Sequence, residues 1–289
     1  MGWKVYPMDT GFFNSLGSYD FDVRCEIAKE LGFDATYLTL WSDFAWDDVK
    51  RLDTVRAKHG LDVAGVYVAL DIAQKDDGPA GLQILDLLLT LEATDLVEVA
   101  LLSSDPGIPN SDPRGDDRAI AWLERMVEAA SARQIRLALY PHAGGWLERT
   151  ADAVRLCQKV DHPLVRAMFT AFHWYAVGGQ DLRASVDSVA PYLASVNVCG
   201  SRRVNGWVMP ATIEPLDAGE LDTFVVLSEL KRVGYDGYVG IQGYSLAGDA
   251  YANFRRSLAA LRDIERRIEA HPHWGDLRPD PLPLPSGAE

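Results

Sequence analysis

The sequence predicts a single-domain (β/α)8 TIM barrel over residues 1–270, followed by a proline-rich C-terminal tail or arm over 271–289. Short β-like runs alternate with helical runs along nearly the whole chain, and strands separated by helices pair in parallel. The alternation repeats eight times, the number that closes such a barrel. The length, 289 residues, is large for an ordinary domain and usual for this one. A doubly wound open sheet is the rival, but no GxGxxG turn follows the first strand and the unbroken rhythm leaves no second domain.

The strands are read in order as KVYPMD from Lys4, ATYLTLW from Ala35, VAGVYVAL from Val63 and LVEVALLS from Leu96. IRLALYPH from Ile135, VRAMFTAFHW from Val165, SVNVCG from Ser195 and GYVGIQGY from Gly237 complete the set. Between them lie helical patterns such as FDVRCEIAKELGF, DDRAIAWLERMVEAASARQ, RTADAVRLCQKV and LDTFVVLSELKRVGY, several with Asp or Thr at the start and Gly at the end. The last is DAYANFRRSLAALRDIERRIEA. After Ala270 the text becomes HPHWGDLRPDPLPLPSGAE, without periodicity, and reads as a flexible arm.

Composition bounds the partners. A formal charge of −14 opposes general affinity for nucleic acid or anionic membranes, both of which attract basic surfaces. No apolar run is long enough to span a bilayer and the start does not resemble a signal peptide, so a soluble cytoplasmic protein is expected. Cys25, Cys157 and Cys199 have neither even number nor CxxC spacing, which fits a reducing compartment.

Catalytic groups of such barrels sit at the C-terminal ends of the strands, so side-chain parity along each strand locates the candidates. Leu137, Leu139, Val196 and Val198 are expected outward, under the helices. Tyr140, His142, Thr170, Asn197, Cys199 and Gln242 then face inward, and His173 follows at the mouth. Convergence of so many hydrogen-bonding groups at one end outweighs the blander interpretation of each alone and points to a ligand site. Lys4, Glu98, Arg136 and Arg166 fall near strand starts and are expected to pair with one another at the barrel floor. Tyr37, Trp41, Tyr67 and Trp146 are either apolar walls for a sugar-like ligand or core aromatics, with Gly144 and Gly145 turning the loop so that Trp146 covers the pocket.

These stretches resemble the xylose isomerase-like barrel superfamily of sugar isomerases and epimerases, in ELGFDATYLTLW at the second strand, LALYPH at the fifth, TAFH at the sixth, SVNVCGSRR at the seventh and GYDGYVGIQGY at the eighth. The resemblance spans nearly the whole chain. It implies a divalent metal held by Glu, Asp, His and Glu on strands five to eight, but the matching positions read Tyr140, Thr170, Asn197 and Gln242. Hard cations need anionic oxygen, so no tightly bound hard metal is expected. His173 matches the substrate-binding histidine of those enzymes and Arg203 an arginine near their substrate. The resemblance also implies a small homo-oligomer.

The leading expectation is an enzyme moving a proton next to the carbonyl of a sugar or keto-sugar without a hard metal. His142 would be the base, Tyr140 or His173 would protonate or polarise the oxygen, and Thr170, Asn197, Arg203, Gln242, Trp41 and Trp146 would hold the substrate. Isomerisation, epimerisation and β-elimination share this enolate and are not separated. Two alternatives stay open: a non-catalytic carbohydrate-binding barrel, and a softer metal such as Zn²⁺ or Ni²⁺ on His142, His173 and one other group.

Overall fold

The structure, a computed structural model, describes residues 2–13, 15–204 and 209–277, without the side chains of residues 43 and 44. Eight parallel strands form the barrel: β1 (Val5–Pro7), β2 (Ala35–Thr39), β3 (Asp62–Asp71), β4 (Leu96–Leu102), β5 (Arg136–Leu139), β6 (Val165–Thr170), β7 (Leu193–Val198) and β10 (Val239–Ile241). Their order is β1-β10-β7-β6-β5-β4-β3-β2. The seam between β1 and β2 is closed through Asp34, whose N–H donates to the Val5 carbonyl (2.9 Å) and whose carboxylate accepts from the Val5 N–H (2.8 Å). An antiparallel hairpin not foreseen from the sequence, β8 (Gly200–Arg203) with β9 (Ala211–Glu214), rises after β7.

The predicted helices form where their signals lie. Asp20 caps the helix Phe21–Leu31 by accepting from the Val23 N–H, and Gly32 ends it at φ 90°. Asp249 caps Ala250–Ala270 in the same way through Ala252. Such caps satisfy N–H groups that the first turn leaves without intrahelical partners. Among the described residues no helix is long and apolar enough to cross a membrane.

Strand alternation divides the core into two layers. Leu137, Leu139, Val196 and Val198 pack outward in the large cluster between strands and helices. Tyr6, Tyr37, Tyr67, Tyr140 and Met168 fill the barrel interior, with small residues such as Ala35 and Ala100 opposite them. Cys199, expected inward, is buried with the larger cluster, where the chain leaves β7 for the hairpin.

Charge pairing at the floor is corrected. Lys4 and Arg56 both meet Asp62 (3.3 and 2.9 Å), Arg136 meets Asp95 (3.0 Å) and Arg166 donates to the Pro191 carbonyl (3.0 Å). Glu98 reaches none of them. It is fully buried in the barrel interior, accepting hydrogen bonds from Ser195 Oγ (2.6 Å), Tyr6 Oη (3.4 Å) and Tyr37 Oη. Burial raises its pKa against the opposing effect of those three donors. Parity placed Glu98 inward correctly, but Lys4, Arg136 and Arg166 lie at strand starts where their side chains reach solvent.

Residues 271–277, read as the start of an arm, pack on the barrel. His271 stacks on Trp274 (3.9 Å between centroids) and Asp276 pairs with Arg183 (2.6 Å). The remainder of that segment, 278–289, lies outside the described residues.

Candidate active site

The stretch after β5 builds the centre of the mouth. Tyr140 continues the ladder with its N–H on the Val99 carbonyl (2.8 Å), and the chain then turns tightly. The His142 N–H donates to the Leu147 carbonyl (2.9 Å) and the Gly145 N–H to the His142 carbonyl (2.8 Å). Gly144 takes φ 86°, a left-handed conformation that costs glycine little. Trp146 fastens this loop from beneath. It is 1% exposed, packs in the outer cluster and donates its indole N–H to the Asp112 carbonyl (3.0 Å). It is therefore the loop's anchor and not a wall of the mouth, a correction to the expectation that it would cover the pocket.

The rigid turn presents one peptide unit to two imidazoles. His142 Nδ1 lies 2.9 Å from the Ala143 carbonyl, so Nδ1 carries the proton and Nε2 keeps a lone pair. The Ala143 N–H donates to His173 Nδ1 (3.1 Å), so in the neutral ring Nε2 carries the proton there. The rings stand 4.1 Å apart between centroids, tilted by 36°. One residue thus sets opposite tautomers on neighbouring rings. Burial lowers the pKa of His142, and burial followed by the charge of His142 lowers that of His173 well below the ordinary value, so both are neutral at pH 7. His142 is half-buried, while His173 is 3% exposed.

The other candidates surround this pair. Tyr140 is 2% exposed, with its ring 5.5 Å from His173 and 6.1 Å from His142. Its hydroxyl accepts from Asn197 Nδ2 (3.0 Å), and burial holds its pKa well above the ordinary value. Thr170 donates to the Pro141 carbonyl (3.0 Å), tying β6 to the end of β5. Arg203 lies over the Tyr175 ring (4.4 Å) and donates to the Tyr175 carbonyl (2.8 Å), which joins the hairpin to the helix Ala171–Ala176 that carries His173. Trp41 stands at the rim, 46% exposed.

Several buried polar atoms here have no hydrogen-bond partner: Asn197 Oδ1, Gln242 Oε1, Arg203 Nε and Thr10 Oγ1. Buried polar groups are nearly always satisfied, so these atoms, which lie at or beyond the C-terminal ends of β1, β7 and β10, are candidates to meet a polar ligand; Gln74 Nε2 and Arg136 Nε are equally unpartnered. Thr10 went unnoticed in the sequence because it lies on the short 3-10 helix Asp9–Phe12 after β1, where strand parity no longer applies. Asp9 beside it was also missed. It accepts from Thr39 Oγ1 (2.6 Å) and the Thr39 N–H (2.9 Å), and burial raises its pKa to about 6. Both of its oxygens are engaged in holding this loop to β2.

The positions where the resemblance implies metal ligands offer a phenol whose ionisation burial opposes, a hydroxyl that donates to a carbonyl, and two amides. Among the described residues no three His, Cys, Asp or Glu side chains gather where they could hold a cation. This donor set does not fit a hard divalent ion. At the opposite end of the barrel a cavity of about 890 Å³ is lined by Asp62, Asp95, Arg56, Arg133 and Tyr238. Its charges pair locally, as in Arg133 with Glu92 (2.8 Å), and it lies at the strand starts, away from the histidines.

Residues 25–264 match the model of the family described as xylose isomerase-like TIM barrel. A ketose 3-epimerase of Arthrobacter globiformis is 24% identical over 250 residues, spanning 82% of this chain and 81% of that protein. Among solved structures, the IOLI protein with a binding zinc atom superposes with a TM-score of 0.73 at 15% identity, covering 90% of this chain and 97% of that one. The 3-keto-D-glucoside 4-epimerase YcjR from E. coli gives a TM-score of 0.70 at 18% identity, covering 90% and 99%. The barrel topology and the family match over most of the chain agree: this protein belongs to the xylose isomerase-like TIM barrel family.

Proposed function

We propose that the protein is an isomerase or epimerase of a sugar or keto-sugar that transfers a proton beside a carbonyl, with His142 and His173 in place of metal-bound carboxylates. The observation that carries this is the Ala143 peptide unit, which gives His142 a free Nε2 lone pair and His173 a free Nε2–H. A substrate carbon next to its carbonyl would lose its proton to His142 Nε2, while His173 Nε2–H donates to the carbonyl oxygen as negative charge develops there. Return of the proton by His142 to the neighbouring carbon on the same face gives an isomer, whereas an epimer needs a proton delivered to the first carbon from its opposite face by a second donor. Tyr140 stands beside both rings as a second donor. Asn197, Gln242, Arg203 and Thr10 supply unpartnered polar atoms for hydroxyl groups. Thr170, whose hydroxyl donates to the Pro141 carbonyl, keeps lone pairs that can accept from a sugar hydroxyl.

The named activities of the Arthrobacter globiformis and E. coli relatives, epimerisation of ketoses and of keto-glucosides, support this chemistry. The His173 tautomer weighs against a softer metal bridging both rings, because a protonated Nε2 has no lone pair to offer.

The test is hydrogen exchange. In D₂O, NMR of a panel of free ketoses and keto-glycosides with the protein should show deuterium entering a carbon next to the carbonyl. Saturable binding across the panel without exchange would instead assign the mouth to a non-catalytic carbohydrate-binding barrel.

A further inference from the structure

The turn after β5 holds a carboxylate that touches neither imidazole directly. Glu148, half-buried, accepts from the Gly144 N–H (3.0 Å) and from Asn110 Nδ2 (3.0 Å), both on Oε1. Among the described residues it pairs with no cation. The charged groups beside it in the chain are engaged elsewhere: Arg149 donates to the Val177 carbonyl (3.2 Å) and Asp152 pairs with Arg155 (2.5 Å). Its negative charge is therefore free to act on whatever its hydrogen bonds lead to.

They lead to the base. The Gly144 N–H and the Ala143 carbonyl are the two ends of one peptide group, and that carbonyl accepts from His142 Nδ1 (2.9 Å). A peptide group is delocalised, so an anion on its N–H draws electron density toward its oxygen and strengthens the bond that the oxygen accepts. Both hydrogen bonds have ordinary lengths. The backbone on either side is tied down, the Gly145 N–H on the His142 carbonyl (2.8 Å) and the Glu148 N–H on Asp152 Oδ2 (3.3 Å). Carboxylate, peptide and imidazole thus form one fixed chain of contacts.

Resting on the assignment of His142 as the base, we propose that Glu148 is a positioning residue that acts on His142 through the peptide group between Ala143 and Gly144. It holds the ring in the tautomer with hydrogen on Nδ1 and stabilises the imidazolium that forms when Nε2 takes a proton from the substrate carbon. The electron pair of the broken C–H bond stays with the substrate as an enolate, and the Nδ1 proton stays on the ring. No proton reaches Glu148, and the ring is neutral again once Nε2 has returned its own. A carboxylate bonded directly to a catalytic imidazole has the same effect over a single hydrogen bond. Two hydrogen bonds and a peptide put the charge about 8 Å away, which in a largely solvated setting is equivalent to about half a pH unit in the titration of His142.

The test uses the full-length protein labelled with ¹⁵N at histidine, with the His142 resonances identified by their absence from His142→Ala. Glu148→Gln can still accept from the Gly144 N–H through its amide oxygen, so it keeps the turn and removes the charge. Its His142 should titrate about half a unit lower than in the wild-type protein, and kcat for hydrogen exchange should fall about threefold at unchanged KM. In Glu148→Ala the ¹⁵N shifts should show the tautomer with hydrogen on Nε2 becoming populated. Glu148→Gln with the His142 titration or the kcat of the wild-type protein, or Glu148→Ala with the wild-type tautomer, overturns the proposal and leaves Glu148 a brace of the turn. The titration and the tautomer are read without substrate. Absence of exchange in the wild-type protein would therefore overturn the assignment of the base while the link from Glu148 to the ring is still decided by the spectra.

Discussion

Replacing His142 by alanine removes the proposed base while disturbing little else. The ring is half-buried, and its one hydrogen bond is to the carbonyl of the next residue at 2.9 Å. A net contribution of about 1 kcal/mol is usual for such a bond, so unfolding stability should fall by about 1–2 kcal/mol including lost packing on His173. The kinetic cost is larger. A positioned general base contributes about 10²–10⁴-fold, equivalent to about 3–5 kcal/mol of barrier. His173→Ala differs in kind: the ring is 3% exposed and accepts the Ala143 N–H, so its loss leaves a cavity and an unpaired donor costing about 1–3 kcal/mol beyond packing. The assay pairs deuterium incorporation by NMR with urea unfolding of each variant. A rate loss under tenfold in a fully folded His142→Ala protein would refute the assignment of the base.

Four further outcomes rest on the same geometry. Both histidines have pKa values below 6.5, so the base remains neutral and the acid limb of kcat/KM should fall below pH 6.5; a limb above that value would contradict the desolvated pair. Because the unfolded state takes up these protons first, their stabilising contribution is complete above pH 6.5 and is lost as pH falls from there toward the folded pKa values, which urea titrations at successive pH should record. Glu98→Ala strips the acceptor from Tyr6, Tyr37 and Ser195 inside the barrel and should cost about 3–5 kcal/mol by denaturant unfolding, whereas Glu98→Gln, which keeps the volume and mimics a protonated carboxyl, should cost about 1 kcal/mol and retain exchange activity. A methyl added at Gly115 would sit 2.6 Å from the Trp146 indole, so Gly115→Ala should destabilise by about 1–3 kcal/mol and slow exchange by displacing the loop that carries Ala143.

How much of this was legible in the sequence depended on the range of each signal. Period-2 alternation in LALY and SVNV is a local property of the chain, and it put Leu137 and Val198 outside and Tyr140 inside as the structure does. The tautomers of His142 and His173 are not local, because they depend on a peptide unit whose orientation is set by a turn and by Trp146 beneath it. Trp146 itself was misplaced since an aromatic after two glycines is equally suited to cover a pocket or to anchor a loop. Only the carbonyl of Asp112, distant in sequence, decides between them. Likewise Glu98 was legible as an inward residue, but its hydroxyl partners come from three other strands. Thr10 and the hairpin β8–β9 lie beyond strand ends, where period carries no information.

The central claim is that a neutral histidine pair, and not a cation, moves the proton. It is tested most directly by following deuterium incorporation into a ketose or keto-glycoside with protein exhaustively dialysed against EDTA, then supplemented with Mg²⁺, Mn²⁺ or Zn²⁺. Exchange at an unchanged rate in the chelated protein, abolished by His142→Ala, is the predicted result. Exchange that disappears on chelation and returns with one of the metals would contradict it.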